Sequence, residues 1–161
     1  YTDFRKKEMS GREMKQTTRG LEDTHLSEVQ DYLKEHADSI LRSDRPFSKY
    51  MRAVIRKKGL KQRDVFLWAD IPERYGYKLI SEEKRTRQRD VILRICYAAR
   101  FTTEETQKAL RIYEMPQLYE KIPRDVVLLL CFQERPGSVN DVNAVLQKHG
   151  MDVLRSSGVQ E

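Results

Sequence analysis

Apolar residues recur along this chain at steps of three and four, a period that predicts an all-helical protein. The first stripe is Leu26, Val29, Leu33, Ala37 and Ile40, flanked by Tyr32 and Leu41. It predicts an amphipathic helix of about four turns within 21–43, started at Asp23 or Thr24, with an acidic outer face. Phe47, Tyr50, Met51, Val54 and Ile55 form the next stripe, at i, i+3, i+4, i+7 and i+8. Asp44 is its candidate cap, Pro46 suits its first turn, and Gly59 supplies a left-handed exit. A second helix is expected from Leu60 to Asp70, with Leu60, Val65, Trp68 and Ala69 facing inward. Ile71-Pro72 breaks it and starts a third helix over 72–81, because proline disfavours helix in the residue before it. Val91 to Ala99 is apolar on nearly every side and is predicted to be the most buried helix. Thr102 and Glu105 have capping-box spacing and open a helix that buries Thr106, Ala109, Leu110 and Tyr113. Met115-Pro116 closes it.

The C-terminal part repeats what precedes it. Arg89-Asp90-Val91-Ile92-Leu93-Arg94-Ile95-Cys96-Tyr97 matches Arg124-Asp125-Val126-Val127-Leu128-Leu129-Leu130-Cys131-Phe132. With one added residue, Ala109-Leu110, Met115 and Leu118 match Val145-Leu146, Met151 and Leu154. Each copy reads as a buried helix, a capped turn and an amphipathic helix; Ser138 with Asp141 is the second cap, and Gly150 ends the last helix. Two such hairpins can cover each other's apolar faces, but two copies are too few for a free solenoid. The expected organisation is a basic flexible arm (1–20), the amphipathic helix (21–43), one helical domain (44–118), a second hairpin packed on it (119–155) and a tail (156–161).

Charge narrows the function. The formal net charge is +6, and it is uneven. Residues 47–89 hold thirteen basic and five acidic side chains, whereas 21–46 hold three and seven, and 90–161 hold nine and ten. A basic block between acidic and neutral segments is an electrostatic footprint for a polyanion, with a solvated helical surface as the plain alternative. No stretch is apolar for 18 residues, so no membrane span is expected. The N-terminal residues lack the apolar core of a secretory signal, and Tyr1 in place of an initiator Met suggests a fragment or processed chain. Cys96 and Cys131 lie in apolar runs without CxxC spacing, and His25, His36 and His149 are far apart. Buried thiols in a reducing cytoplasm, with no metal and no cofactor, are the expectation. Nothing resembles a glycine-rich phosphate loop or a nucleophile with its base, so the chain reads as a non-enzyme.

With the helices placed, Phe47 to about Tyr113 resembles the lambda-repressor-like helix-turn-helix family, the group of Cro and related phage and bacterial repressors. Gly59-Leu60-Lys61-Gln62, the inward Val65, Ile80, the helix Val91 to Ala99, and Thr102-Thr103-Glu104-Glu105 with Leu110 carry the resemblance. The wider pattern, YGYKLIS followed by the two Arg-Asp hairpins, is similar to a subgroup of small proteins from Gram-positive bacteria. The resemblance implies a five-helix domain, a cytoplasmic location and binding to double-stranded DNA. The chain departs from the family pattern at Phe66, where a small Ala is usual, and at Asp70, where a turn Gly is usual. One extra residue is needed to bring Tyr77 to the buried position of the third helix, and Glu82-Glu83 stand where a Gly usually ends it. Gly76 inside that helix is compatible with close approach to another helix or to DNA, or with a kink.

The resemblance implies that the third helix enters the major groove while the first two hold the backbone. Gln62 would bond a phosphate oxygen, flanked by Lys61 and Arg63. Arg74 has the fork to read guanine and Glu73 can accept from cytosine, each worth about 1–3 kcal/mol of discrimination. Tyr75 and Lys78 are candidates for bases or phosphates, and Lys84, Arg85 and Arg87 for phosphates. A solvated face is the alternative for Arg74 and Lys78, and core packing for Tyr75 and Tyr77. The leading expectation is a sequence-specific transcriptional regulator, with a homodimer expected because one short helix reads few base pairs. The alternative is a helical interaction adaptor, or an antitoxin-like protein, that binds a partner through 21–43 or the C-terminal hairpin.

Overall fold

The computed structural model describes residues 20–36 and 45–156. Two compact units meet in sequence at Asp44 and Arg45. The predicted arm 1–20 lies almost wholly outside the described residues, as do Ala37, Ile40, Leu41, the candidate cap Asp44 and most of the tail. In the first unit, a 3₁₀ turn at Leu26–Glu28 leads into helix α1 (Val29–Glu35). The start is thus later than Asp23 or Thr24, and no side chain caps it. Leu26, Val29 and Leu33 are all exposed, and Tyr32 stacks on His36.

The second unit is all-helical in its described residues. It runs through α2 (Pro46–Lys57), α3 (Gln62–Ala69), α4 (Glu73–Ile80), α5 (Arg89–Ala98), α6 (Thr103–Ile112), α7 (Pro123–Glu134) and α8 (Val139–Lys148). Helix α5 is the axis of the core. Every residue from Val91 to Ala99 is buried, and α3, α6 and α8 all pack against it. Phe47 and Met51 of α2, Phe66 of α3, Leu79 of α4 and Leu110 of α6 converge on the same core, each fully enclosed.

The helix ends show why this sequence turns where it does. Helices α2, α3, α5, α6 and α8 each end in paired bonds of Schellman type, for example Asp70 N–H to the Leu67 carbonyl and Ile71 N–H to the Phe66 carbonyl. The left-handed residue is Gly at 59 and 150, but Asp70, Arg100 and Glu114 at the other three. The residue after it is apolar in each case (Leu60, Ile71, Phe101, Met115, Met151) and folds back on its helix. Helix starts are less uniform. Thr102–Glu105 and Ser138–Asp141 form capping boxes. Helix α2 has Arg45 at its N-cap and no local cap; instead the Ser48 amide donates to the Glu82 carboxylate across the fold, at 3.2 Å.

The repeat extends to individual hydrogen bonds. The Arg89 guanidinium donates to both oxygens of Asp125, at 3.1 and 2.5 Å, and Arg124 donates to both oxygens of Asp90, at 3.0 and 2.9 Å. Each aspartate takes a third donor, from the Tyr119 amide in one case and the Arg155 amide in the other. Arg89 also reaches the Pro116 and Gln117 carbonyls, as Arg124 reaches those of Asp152 and Val153. The Leu118 amide donates to Gln107 and the Leu154 amide to Asn143. The two hairpins, α5–α6 and α7–α8, therefore clasp each other reciprocally, each supplying the same donors and acceptors to its copy. Cys96 and Cys131 are equivalent buried positions and both are free thiols; burial pushes each thiol up from its ordinary value.

Arg94 departs from the repeat, since Leu129 is its counterpart. It is buried and donates to the carbonyls of Ala69, Leu154 and Arg155. One guanidinium thus ties the end of α3 to the extended C-terminal segment at Leu154 and Arg155. Its burial pushes the guanidinium down from its ordinary value, against the pull of Asp70 and Asp90.

Candidate nucleic-acid interface

Helices α3 and α4 are joined by only Asp70, Ile71 and Pro72. Asp70 takes the left-handed conformation, with φ 56° and ψ 52°, and aspartate is among the few non-glycine residues that tolerate it. Ile71 is buried, and Pro72 is the N-cap of α4, so the helix begins at Glu73 and not at Pro72. Asp70 fills the role the sequence pattern assigned to a turn glycine.

Phe66 and Gly76 explain each other. Phe66 is fully buried, and a Cβ built on Gly76 would sit 2.4 Å from its ring. No side chain fits between α3 and α4 at that point. The large residue on α3 is accommodated by the absence of one on α4, so of the three consequences expected for Gly76 it is close approach to another helix that the structure displays. Around this contact Gly76, Leu79 and Ile80 are buried and Tyr75 is half-buried, which sets the outward side of α4. Arg74, Tyr77 and Lys78 lie at i, i+3 and i+4 on it; Arg74 and Tyr77 are exposed and Lys78 is half-buried. Glu73 is exposed at the first turn.

Two assignments made from the pattern change. The helical period places Trp68 inward, yet it is 44% exposed, while Phe66 occupies the core. The reason is angular: Val65, Phe66 and Ala69 define the buried stripe of α3, and Trp68 lies on its flank. The pattern places Tyr77 in the core, yet it is 43% exposed, its ring meeting Phe66 edge-on. Tyr77 is the surface residue that the pattern missed, and the stripe 76, 79, 80 would have found it.

At the start of α3, Lys61 is an extended N-cap with no side-chain cap bond. Lys61 and Arg63 are exposed and Gln62 is half-buried. Tyr75 packs against the core, with the Lys84 ammonium 6.0 Å above its ring. Between α4 and α5, Arg85 and Arg87 are both exposed, and Arg85 reaches Tyr113 at the end of α6. Its guanidinium donates to the Tyr113 carbonyl at 2.5 Å and lies 4.3 Å from the Tyr113 ring centre. The Tyr113 hydroxyl in turn accepts from the Thr86 amide. Arg85 therefore anchors this loop while remaining exposed.

Among the described residues no three His, Cys, Asp or Glu side chains converge to hold a metal ion. No described helix is long and apolar enough to cross a membrane. No protein-family model, curated protein or solved structure matches this chain.

Proposed function

We propose that the chain is a sequence-specific duplex-DNA-binding regulator in which α4 enters the major groove and α2 to α6 act as a lambda-repressor-like helix-turn-helix domain. The observation that carries this is the outward face of α4. Arg74, Tyr77 and Lys78 project from a helix whose opposite side is locked by the Phe66–Gly76 contact. A rigid short helix with a guanidinium on its first turn is suited to base-edge contacts, and the uncapped, basic start of α3 is suited to a phosphate. Lys61, Gln62 and Arg63 hold the backbone in this reading, with Lys84 and Arg87 adding phosphate contacts. Glu73 would repel phosphate and is retained as a cytosine reader.

The test is an Arg74→Ala, Lys78→Ala double variant, at two positions outside the buried core. It is expected to keep the wild-type unfolding midpoint and to lose binding to a selected duplex. A double variant that binds that duplex like wild type would remove α4 from the interface. A second reading, the interaction adaptor, draws on the exposed apolar residues of 21–43: Leu26 is 88% and Leu33 51% accessible. Stoichiometric recovery of one protein partner, with no DNA retained at low salt, would favour it.

A further inference from the structure

A cleft separate from the outward face of α4 lies where α3 meets the two hairpins. Its walls include Trp68 of α3, Tyr97 and Arg100 from the end of α5, and Arg135, Gly137 and Ser138 from the turn between α7 and α8. None of these belongs to the candidate base or phosphate contacts. The cavity holds about 610 Å³, within the range of small-molecule sites.

Its chemistry follows from a break in the repeat. Arg100 and Arg135 are equivalent residues, both left-handed, with φ 60° and 56°. Arg135 is used by the fold. It donates to the carbonyls of Tyr97 and Phe101 and lies over the Tyr97 and Phe132 rings. Arg100 makes no corresponding side-chain bond to the other hairpin and stays exposed on the cleft wall. The Arg89–Asp125 and Arg124–Asp90 pairs use both copies of each residue, whereas of Arg100 and Arg135 only Arg135 reaches across.

Two guanidiniums therefore line one cavity, and no carboxylate lines it. Of the acidic groups nearby, Asp141 bonds the amide and hydroxyl of Ser138, itself a wall residue, and Glu105 is paired with Lys58 at 2.8 Å. Burial pushes the Arg135 guanidinium below its ordinary value, and the like charge of Arg100 pushes in the same direction. The remaining wall is carbon-rich, with the half-exposed Trp68 indole, the Tyr97 ring, Ala98 and Val139. Guanidinium forks match carboxylate geometry, and aromatic walls favour a planar apolar body. We propose that this cleft binds a small aromatic carboxylate, its charge facing Arg100 and Arg135 and its ring against Trp68.

Trp68 is the single tryptophan of the chain, so its emission reports on the cleft directly. The full chain, without DNA, is titrated with benzoate, with uncharged benzamide and with inorganic phosphate. Benzoate is expected to change Trp68 emission saturably, with benzamide at least about tenfold weaker, as for loss of a charge-assisted hydrogen bond. Phosphate, which has the charge without the ring, is expected to give no saturable change. Arg100→Gln is expected to weaken benzoate by a similar factor while leaving the unfolding midpoint unchanged. Benzamide equal to benzoate, saturable phosphate binding equal to benzoate, an unaltered Arg100→Gln variant, or no saturable response to benzoate would each overturn the proposal. Because DNA is absent throughout, failure here is independent of failure in DNA binding.

Discussion

Asp125→Ala is expected to lower the stability of the helical body by about 3–5 kcal/mol, the typical cost of orphaning one partner of a buried ion pair. The Asp125 side chain is fully enclosed and the Arg89 side chain is only 22% exposed. Removing the carboxylate strands the Arg89 guanidinium and also the Tyr119 amide, which donates to it at 2.9 Å. Asp90→Ala breaks the matching pair, but Asp90 is 12% exposed, so water replaces part of what is lost and the cost is smaller. Urea unfolding of the two variants separates them: the midpoint falls further for Asp125→Ala. The double variant Arg89→Met, Asp125→Leu is expected to recover part of the loss, because it leaves no unpaired charge behind. Equal losses for Asp90→Ala and Asp125→Ala would mean that burial does not set the strength of the clasp.

Gly76→Ala is expected to destabilise the protein by about 1–3 kcal/mol, the range for overpacking a tight core contact. The sign is what makes it diagnostic. Within an unconstrained helix the same substitution stabilises by about 0.5–1 kcal/mol through lost chain entropy. Here the new methyl would lie 2.4 Å from the Phe66 ring, and Phe66, fully buried, has nowhere to swing. Making room should reverse the outcome. In a Phe66→Leu background, Gly76→Ala is expected to be neutral or stabilising, and thermal unfolding of the four proteins of this cycle measures the coupling directly. Additive effects would show that the two residues do not share one space.

The fold was legible where a single physical rule decided the outcome. The apolar run Val91 to Ala99 admits only a buried helix, and the pairs Thr102–Glu105 and Ser138–Asp141 are capping boxes at both levels. The Arg-Asp repeat signalled two hairpins, but not that each arginine would reach the other hairpin's aspartate, because reciprocity is a property of the packed pair. Left-handed turns at Asp70, Arg100 and Glu114 were illegible for a similar reason. Each is imposed by the apolar residue that follows it, and a glycine-based reading looks for the wrong signal. Glu82, which serves the start of α2 from 34 positions away, has no local signature at all.

The candidate interface was legible unevenly. Arg74, Lys61 and Arg63 are exposed as their charge suggests. The helical period places Trp68 inward and the family pattern places Tyr77 at a buried position, and the angular position of each observed stripe overrules both. Phe66 and Gly76 looked like two separate departures from a family pattern. In the structure they are one feature, a large residue and a missing side chain that fix how α3 and α4 cross.

The central claim is that α4 reads duplex sequence, and selection of bound molecules from random duplex DNA at two salt concentrations tests it most directly. The account predicts one enriched sequence at both concentrations. It also predicts affinity for that sequence that falls steeply with salt, by a logarithmic slope of about 0.9 for each phosphate neutralised. No enriched sequence at either concentration, or retention that does not change with salt, would contradict it.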